Sequence, residues 1–337
     1  MRQKFVFLGL ALPIVLVGTI LAIAPVAGRI SVNNSAEAVA SKTHEITLVA
    51  EALDNGLLAY RMDSHVVDDG SDTEDITNRY SDEASIPGPT IVIDEGDEVS
   101  LTIENDIGTG IVSVHVHGVH YEITSDGTLE HINMIEDQGA EGASSFTYHW
   151  VAGPGTAGTW PYHDHTFGGI NGAEHRGLFG TLIVNPASGE ISAVENNKVK
   201  EIEVDDLDKQ FVLYVNDDAF WGMEIDEDGN QTPLWTNPTL GAKTGDYVRF
   251  HLIALGTDTV HEFELENHKW LDPGTKKLIS SKEIGPLENH AFTIKAKQGD
   301  SDYSDENTSN KLMGMEGVFE VTGSGADSVP SPVPDPF

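Results

Sequence analysis

An all-β fold built as two copies of one sandwich is what this sequence predicts, and three observations carry that expectation. Short segments of alternating apolar and polar residues recur along most of the chain. That two-residue period belongs to strands with one buried face. No long segment of 3.6-residue periodicity interrupts them, which argues against βαβ units. The third observation is an internal repeat. Pro89-Thr90 precedes Gly96-Asp97 and Val99, and Pro238-Thr239 precedes Gly245-Asp246 and Val248, an offset of 149 residues (238 minus 89). Later, GLFGTLIV from Gly177 matches GMEGVFEV from Gly314 at an offset of 137 (314 minus 177), so loop lengths differ between the copies.

The chain opens with Arg2 and Lys4 ahead of an apolar run from Phe5 to about Ala27. This is the pattern of an export signal. At roughly 23 residues the run is also long enough to cross a bilayer, so a signal peptide and an N-terminal membrane anchor both stay open. Either reading places the protein outside the cytoplasm, secreted or held at the cell surface. Sequons at Asn33, Asn230 and Asn307 are compatible with that location. Residues 1–41 are read as this leader with a polar spacer, and 42–190 as the first domain. HEITLVAEAL, LLAYRM, TIVIDEGDEVSLTIEN, SSFTYHWV and GTLIVNP are its strands, with an acidic surface loop from Val67 to Ser85. SGEISAVENNKVK reads as a weakly patterned polar link. The second domain covers 198–322, and the Gly-, Ser- and Pro-rich residues 323–337 form an extended tail.

Composition narrows the partners. There are 19 Lys and Arg against 55 Asp and Glu, a formal charge of -36. Such a surface repels phosphate backbones and attracts cations, which argues against nucleic-acid binding. The absence of cysteine removes disulfides, iron-sulfur clusters, zinc fingers and thiol nucleophiles together.

The residues that carry chemistry lie between Ser113 and Val184. SVHVHGVHYE contains His115 and His117, and GTWPYHDHTFGG contains His163 and His165. Side chains at i and i+2 of a strand share a face, so each pair makes a jaw of two imidazoles. Gly118 and the turn-rich segment from Ala152 to Gly158 allow close backbone approach and tight bends. Imidazoles without a thiolate suit copper, zinc, iron or nickel rather than calcium or magnesium. Asp164, between the jaw histidines, points to the opposite strand face and is not counted as a ligand. His120, His131, His149 and His175 lie nearby in sequence and read either as groups that support the jaws or line a substrate pocket or, more commonly for a single histidine, as ordinary surface or core residues. Trp150, Trp160 and Trp270 read as sandwich core.

These motifs resemble the multicopper oxidase family, two-domain laccases in particular, over roughly Glu45 to Val321. VHVHG is similar to the family's HxHG motif and YHDH to its second HxH; SDGT at Ser125 to Thr128 and EHRGLFG at Glu174 to Gly180 add to the match. The resemblance implies two cupredoxin-like Greek-key sandwiches and copper bound through His115, His117, His163 and His165. His115 would be a type 2 ligand, and the other three would hold the type 3 pair. The second half departs from the pattern. His261 stands at a type 1 ligand position and Met315 at the axial one, but the family's cysteine is missing. Glu264 and Glu266 replace two cluster histidines, and Ser304, Asp305, Glu306 and Asn310 stand where further ligands belong. A blue copper centre needs the thiolate, so none is expected.

In two-domain relatives the cluster lies between subunits of a cyclic trimer. The resemblance therefore implies a cyclic homo-oligomer in which Glu264 and Glu266 face the four histidines of a neighbour, together able to hold copper, zinc, iron or manganese. The expected function is that of an exported copper-binding protein. One form is a copper-dependent oxidoreductase without type 1 copper, served by a small-molecule or protein reductant. The alternatives are a non-catalytic copper-binding protein and a structural cell-envelope protein on the same scaffold.

Overall fold

In a computed structural model of the protein, residues 41–128, 137–166, 176–216, 219–255 and 259–323 are described. The expected leader and its sequon Asn33, the end of the tail, His131 and His175 lie outside them. The described residues are almost all strand and loop, with one five-residue helix, Thr308–Leu312.

In the N-terminal half, a six-stranded sheet faces a four-stranded one. The larger is ordered Thr73–Asp75, Leu58–Asp68, Thr43–Ala52, Glu98–Asn105, Ser145–Val151 and His120–Tyr121. The smaller is ordered Thr90–Asp94, Phe179–Asn185, Gly158–His163 and His115–Val116. Alternating residues such as Ile46, Leu48 and Ala50 point between the sheets, against Leu101, Ile103, Tyr148, Trp150 and Leu182. In the C-terminal half a seven-stranded and a five-stranded sheet enclose a second core around Phe211, Phe250, Phe263, Trp270 and Phe319. Trp150 and Trp270 are buried in these cores as expected, while Trp160 packs against the first at its edge.

The repeat read from the sequence is a repeat of structure. Strand Thr43–Ala52 runs parallel to Glu98–Asn105, as Lys209–Val215 runs parallel to Tyr247–Ala254. Phe179–Asn185 runs parallel to Thr90–Asp94, as Glu316–Thr322 does to Leu240–Lys243. The equivalence reaches single atoms. The Tyr162 hydroxyl donates to the Pro89 carbonyl at 2.6 Å and the Tyr303 hydroxyl to the Pro238 carbonyl at 2.5 Å. Each ring lies against a glycine of the neighbouring strand: a Cβ on Gly180 would stand 2.2 Å from the Tyr162 hydroxyl, and one on Gly317 2.2 Å from that of Tyr303.

Two segments differ from the sequence reading. The polar link is a hairpin, Glu190–Glu195 with Lys198–Glu203, joined to the large C-terminal sheet through Asn289–Lys295. Its turn residues Asn196 and Asn197 adopt φ of 51° and 60°, a left-handed pair that asparagine tolerates and hairpins favour. The expected loop from Val67 to Ser85 contains the short strand Thr73–Asp75 and a 3-10 turn, and it buries Ile76 and Tyr80.

The halves meet through apolar residues, Ile86, Phe179 and Ile183 against Val212, Tyr214, Ile225 and Ile253. Polar pairs accompany them. Gln231 bonds both the amide and the carbonyl of Thr90, at 2.8 and 2.5 Å, and Thr159 Oγ1 lies 2.6 Å from His251 Nδ1.

Two predictions follow from this packing. Gly317→Ala forces Tyr303 to move within a filled core, which costs about 1–3 kcal/mol, read as a lower urea midpoint. An unchanged midpoint would show that the close approach is not needed. The second concerns acid. Burial pushes the imidazole of His65 down to about 3 and that of His290 to about 4, and lowers His251 well below its ordinary value. Unfolded histidine titrates near about 6.5, so below that pH the unfolded chain binds more protons and stability falls as pH drops toward the folded values. The urea midpoint is expected to decline steadily between about pH 6.5 and about pH 4; a midpoint that holds or rises there contradicts the burial of neutral imidazoles.

Candidate metal centre

Backbone pairing brings the two jaws together. Strand His115–Val116 pairs antiparallel with Gly158–His163, so that His163 stands opposite His115 and Tyr162 opposite Val116. The His117 amide donates to the Pro161 carbonyl at 3.1 Å and extends the register by one residue. Gly118 follows at φ 77°, and a Cβ there would fall 1.9 Å from Trp160 Cδ2. Only glycine lets the chain turn away beneath that ring.

The four rings form one cluster. Ring centroids of His115 lie 5.1 Å from His117, 5.5 Å from His163 and 5.1 Å from His165. His163 lies 5.4 Å from His117 and 5.6 Å from His165. Nitrogens of His115, His117 and His163 all fall within 4.8 Å of one another. His165 does not join that tightest set, although its ring borders it. His163 is buried, and the other three are half-buried.

Ring orientation is set from outside the cluster. The Nδ1 of His115 lies 2.5 Å from the Asp126 carbonyl, and that of His163 lies 3.1 Å from the Asp164 carbonyl. A carbonyl only accepts, so each Nδ1 carries the hydrogen and each Nε2 keeps a lone pair. His117 Nε2 and His163 Nε2 approach to 3.2 Å. Burial first, then the neighbouring imidazoles, lowers His117 to about 4 and His163 to about 3, and burial lowers His115 as well. Neutral imidazoles with convergent lone pairs are the donor set of a transition-metal site, and these residues fit such an ion.

Asp164 faces away from the cluster, as its place between the jaw histidines predicts. Its buried carboxylate accepts the amides of Ser113 at 2.7 Å and Thr166 at 3.0 Å, and the Thr166 hydroxyl at 2.5 Å. Ser113 Oγ in turn accepts the His165 amide at 2.9 Å. The residue therefore ties together the two segments that carry the jaws. The sequence reading missed the positioning roles of Ser113 and Asp126. Asp126 was visible only as part of SDGT, whose Gly127 amide bonds Gln138 Oε1 at 3.0 Å and whose Ser125 Oγ accepts the His149 amide at 3.1 Å. His120 and His149 are exposed.

The C-terminal half repeats the frame with other side chains. Glu264 stands opposite Ser304 and Leu265 opposite Tyr303, as His115 stands opposite His163 and Val116 opposite Tyr162. Glu264 and Glu266 thus occupy the places of His115 and His117, Ser304 that of His163 and Glu306 that of His165. Within one chain, neither Glu264 nor Glu266 belongs to the tight histidine cluster. Glu306 bonds Lys311 and the Ser304 hydroxyl. Asp305 repeats Asp164: it accepts the amides of Glu262 at 2.9 Å and Asn307 at 3.0 Å. It also binds His261 Nδ1 at 2.7 Å and Asn310 Nδ2 at 2.6 Å, beside the buried Met315.

Comparison with known proteins agrees with this fold. The family profile for multicopper oxidase matches residues 76–189. A probable nitrite reductase-hydroxylamine oxidoreductase fusion protein of Kuenenia stuttgartiensis is 30% identical over 258 residues, which is 71% of this chain and 28% of that protein. L-ascorbate oxidase of Cucumis sativus is 35% identical over 105 residues, 31% of this chain and 16% of that protein. The chain thus spans less than a third of either curated relative. Among solved structures, a multicopper oxidase superposes with a TM-score of 0.56 at 21% identity, covering 83% of this chain and 88% of that one. The copper nitrite reductase of Nitrosomonas europaea superposes at 0.55 with 17% identity, covering 86% and 97%. Two sandwiches of matching topology, a histidine cluster on paired HxH segments and these similarities make the chain a cupredoxin-like protein that carries a multicopper oxidase domain over residues 76–189.

Proposed function

We propose that this protein is an exported copper-binding protein that holds its metal through His115, His117, His163 and His165 and has no type 1 copper. The observation that carries the reading is the convergence of imidazole nitrogens whose opposite ring atoms are tied to the Asp126 and Asp164 carbonyls. Bound there, copper would supply one-electron redox chemistry. The protein's own contribution is to present neutral imidazoles, fix their rotation through two carbonyls and lock both jaws to the Asp164 carboxylate. The absence of cysteine, with Asp305 bonded to His261 and Asn310, supports the loss of the blue centre. Any turnover then requires a small reductant or a protein reductant to reach the histidine-bound metal by another route. A second reading, a non-catalytic copper carrier or envelope protein, is favoured by that same loss. Copper is the ion the family implies, and zinc is the competitor that neutral imidazoles accept equally.

Glu264 and Glu266 enter through assembly. Their places repeat those of His115 and His117, and a cyclic homotrimer that set one half against the other half of a neighbour would add two carboxylates to four imidazoles. Burial, then Glu306, raises the Glu264 carboxyl above its usual range, and a bound cation would reverse that direction.

Copper retained per chain after dialysis, measured by plasma mass spectrometry, is expected to be stoichiometric and to vanish in His163→Ala/His165→Ala. No metal on the unsubstituted protein would leave the structural reading. Glu264→Ala/Glu266→Ala is expected to weaken retention or halve the number of ions bound, and an unchanged isotherm would remove the carboxylates from the site.

A further inference from the structure

A second set of titratable groups lies in the N-terminal half, and none of it belongs to the histidine cluster. Asp97, His44, His65 and Tyr80 are buried and joined end to end. His44 Nε2 lies 3.0 Å from Asp97 Oδ2, His44 Nδ1 lies 2.9 Å from His65 Nε2, and His65 Nδ1 lies 2.7 Å from the Tyr80 hydroxyl.

The hydrogens along this chain can be assigned. Asp97 also accepts the amides of Lys42 and Asp94, at 2.9 and 2.8 Å, so it is an acceptor only. His44 therefore donates from Nε2 and accepts at Nδ1. His65 donates from Nε2 to His44 and accepts the Tyr80 hydroxyl at Nδ1. All three hydrogen bonds point the same way, from Tyr80 to Asp97.

Tyr80 differs in this from the other buried tyrosines among the described residues. Tyr60, Tyr148, Tyr162 and Tyr303 donate to the carbonyls of Ser113, Gln138, Pro89 and Pro238, and Tyr214 pairs with the Thr181 hydroxyl. A carbonyl cannot pass a proton onward, whereas a neutral imidazole can take one at Nδ1 as it releases one from Nε2 and so never becomes charged. Tyr80 also lines a surface cavity of about 340 Å³ with Arg79, Gln210 and Gln231. On its inner side it shares a core with Tyr60 and Tyr162, whose rings lie 5.8 Å apart, and Tyr162 immediately precedes His163.

We propose that Tyr80 is a redox-active tyrosine, with His65, His44 and Asp97 as its proton-accepting chain and the adjoining cavity as the place where a small reductant delivers single electrons. Tyr80 gives one electron to a strong one-electron oxidant, and its phenolic proton passes to His65 Nδ1. The Nε2 proton of His65 moves to His44 Nδ1, and the Nε2 proton of His44 moves to Asp97. The products are a neutral phenoxyl radical, two neutral histidines of reversed tautomer and a protonated carboxyl. A one-electron reductant in the cavity restores the phenol as the three protons return, and leaves singly oxidised. No new charge is created in the interior, and one is removed.

The inference rests on the metal reading only for where an oxidising equivalent would arise inside the protein. Its test uses the full chain stripped of metal, so failure of the histidine site to retain copper cannot affect the result. Hexachloroiridate(IV) is mixed with the protein and the product is frozen for electron paramagnetic resonance. A tyrosyl signal is expected from the unsubstituted protein and is lost in Tyr80→Phe. It is also lost in His65→Gln, which keeps a polar side chain but no basic acceptor. Near-ultraviolet circular dichroism establishes that each variant is folded. A signal that persists in folded Tyr80→Phe, a full-strength signal in His65→Gln, or no signal from the unsubstituted protein overturns the proposal.

Discussion

One buried carboxylate holds the candidate centre in shape. Asp164 accepts hydrogen bonds from Ser113 and Thr166, one residue from each flank of the paired HxH segments. Without it, the amides of Ser113 and Thr166 would lose their partner, and the Ser113 hydroxyl that accepts the His165 amide would lose its anchor. A satisfied buried carboxylate of this kind fixes geometry more than it adds stability. The histidines themselves contribute little to the fold; they hang from a frame that exists for other reasons.

The C-terminal half supports that view. Asp305 makes the same two backbone contacts at the same register, while all four positions corresponding to the jaw histidines carry Glu or Ser. The tyrosine-glycine contact and its carbonyl partner are also kept in both halves. The scaffold is therefore independent of the side chains it displays at these positions. Asp305 draws His261 and Asn310 into a buried hydrogen-bonded group, and His261 Nε2 has no hydrogen-bond partner among the described residues.

Much of this was legible in the sequence, because its signals are local. Strand alternation and the HxH spacing follow from a two-residue period, the Pro-Thr to Gly-Asp repeat follows from duplication of one frame, and its 149-residue offset gives Glu264 the place of His115 as the strand register does. What escaped reading depends on contacts between distant segments. Asp126 meets His115 across a turn, and Ser113 meets Asp164 fifty-one residues on. His44, His65, Tyr80 and Asp97 come from four strands or loops, and no spacing rule connects them. The hairpin Glu190–Glu203 was hidden for a different reason: its outer strand alternates weakly because most of it is exposed.

The central claim is that imidazole nitrogens of the N-terminal half, and no sulfur, hold the metal. Electron paramagnetic resonance of the copper-loaded protein, recorded with its visible spectrum, tests this most directly. The account predicts nitrogen hyperfine structure from several imidazoles, removed by His115→Ala/His117→Ala, with no intense blue absorption. Copper bound through oxygen alone, or a signal indifferent to those substitutions, would contradict it.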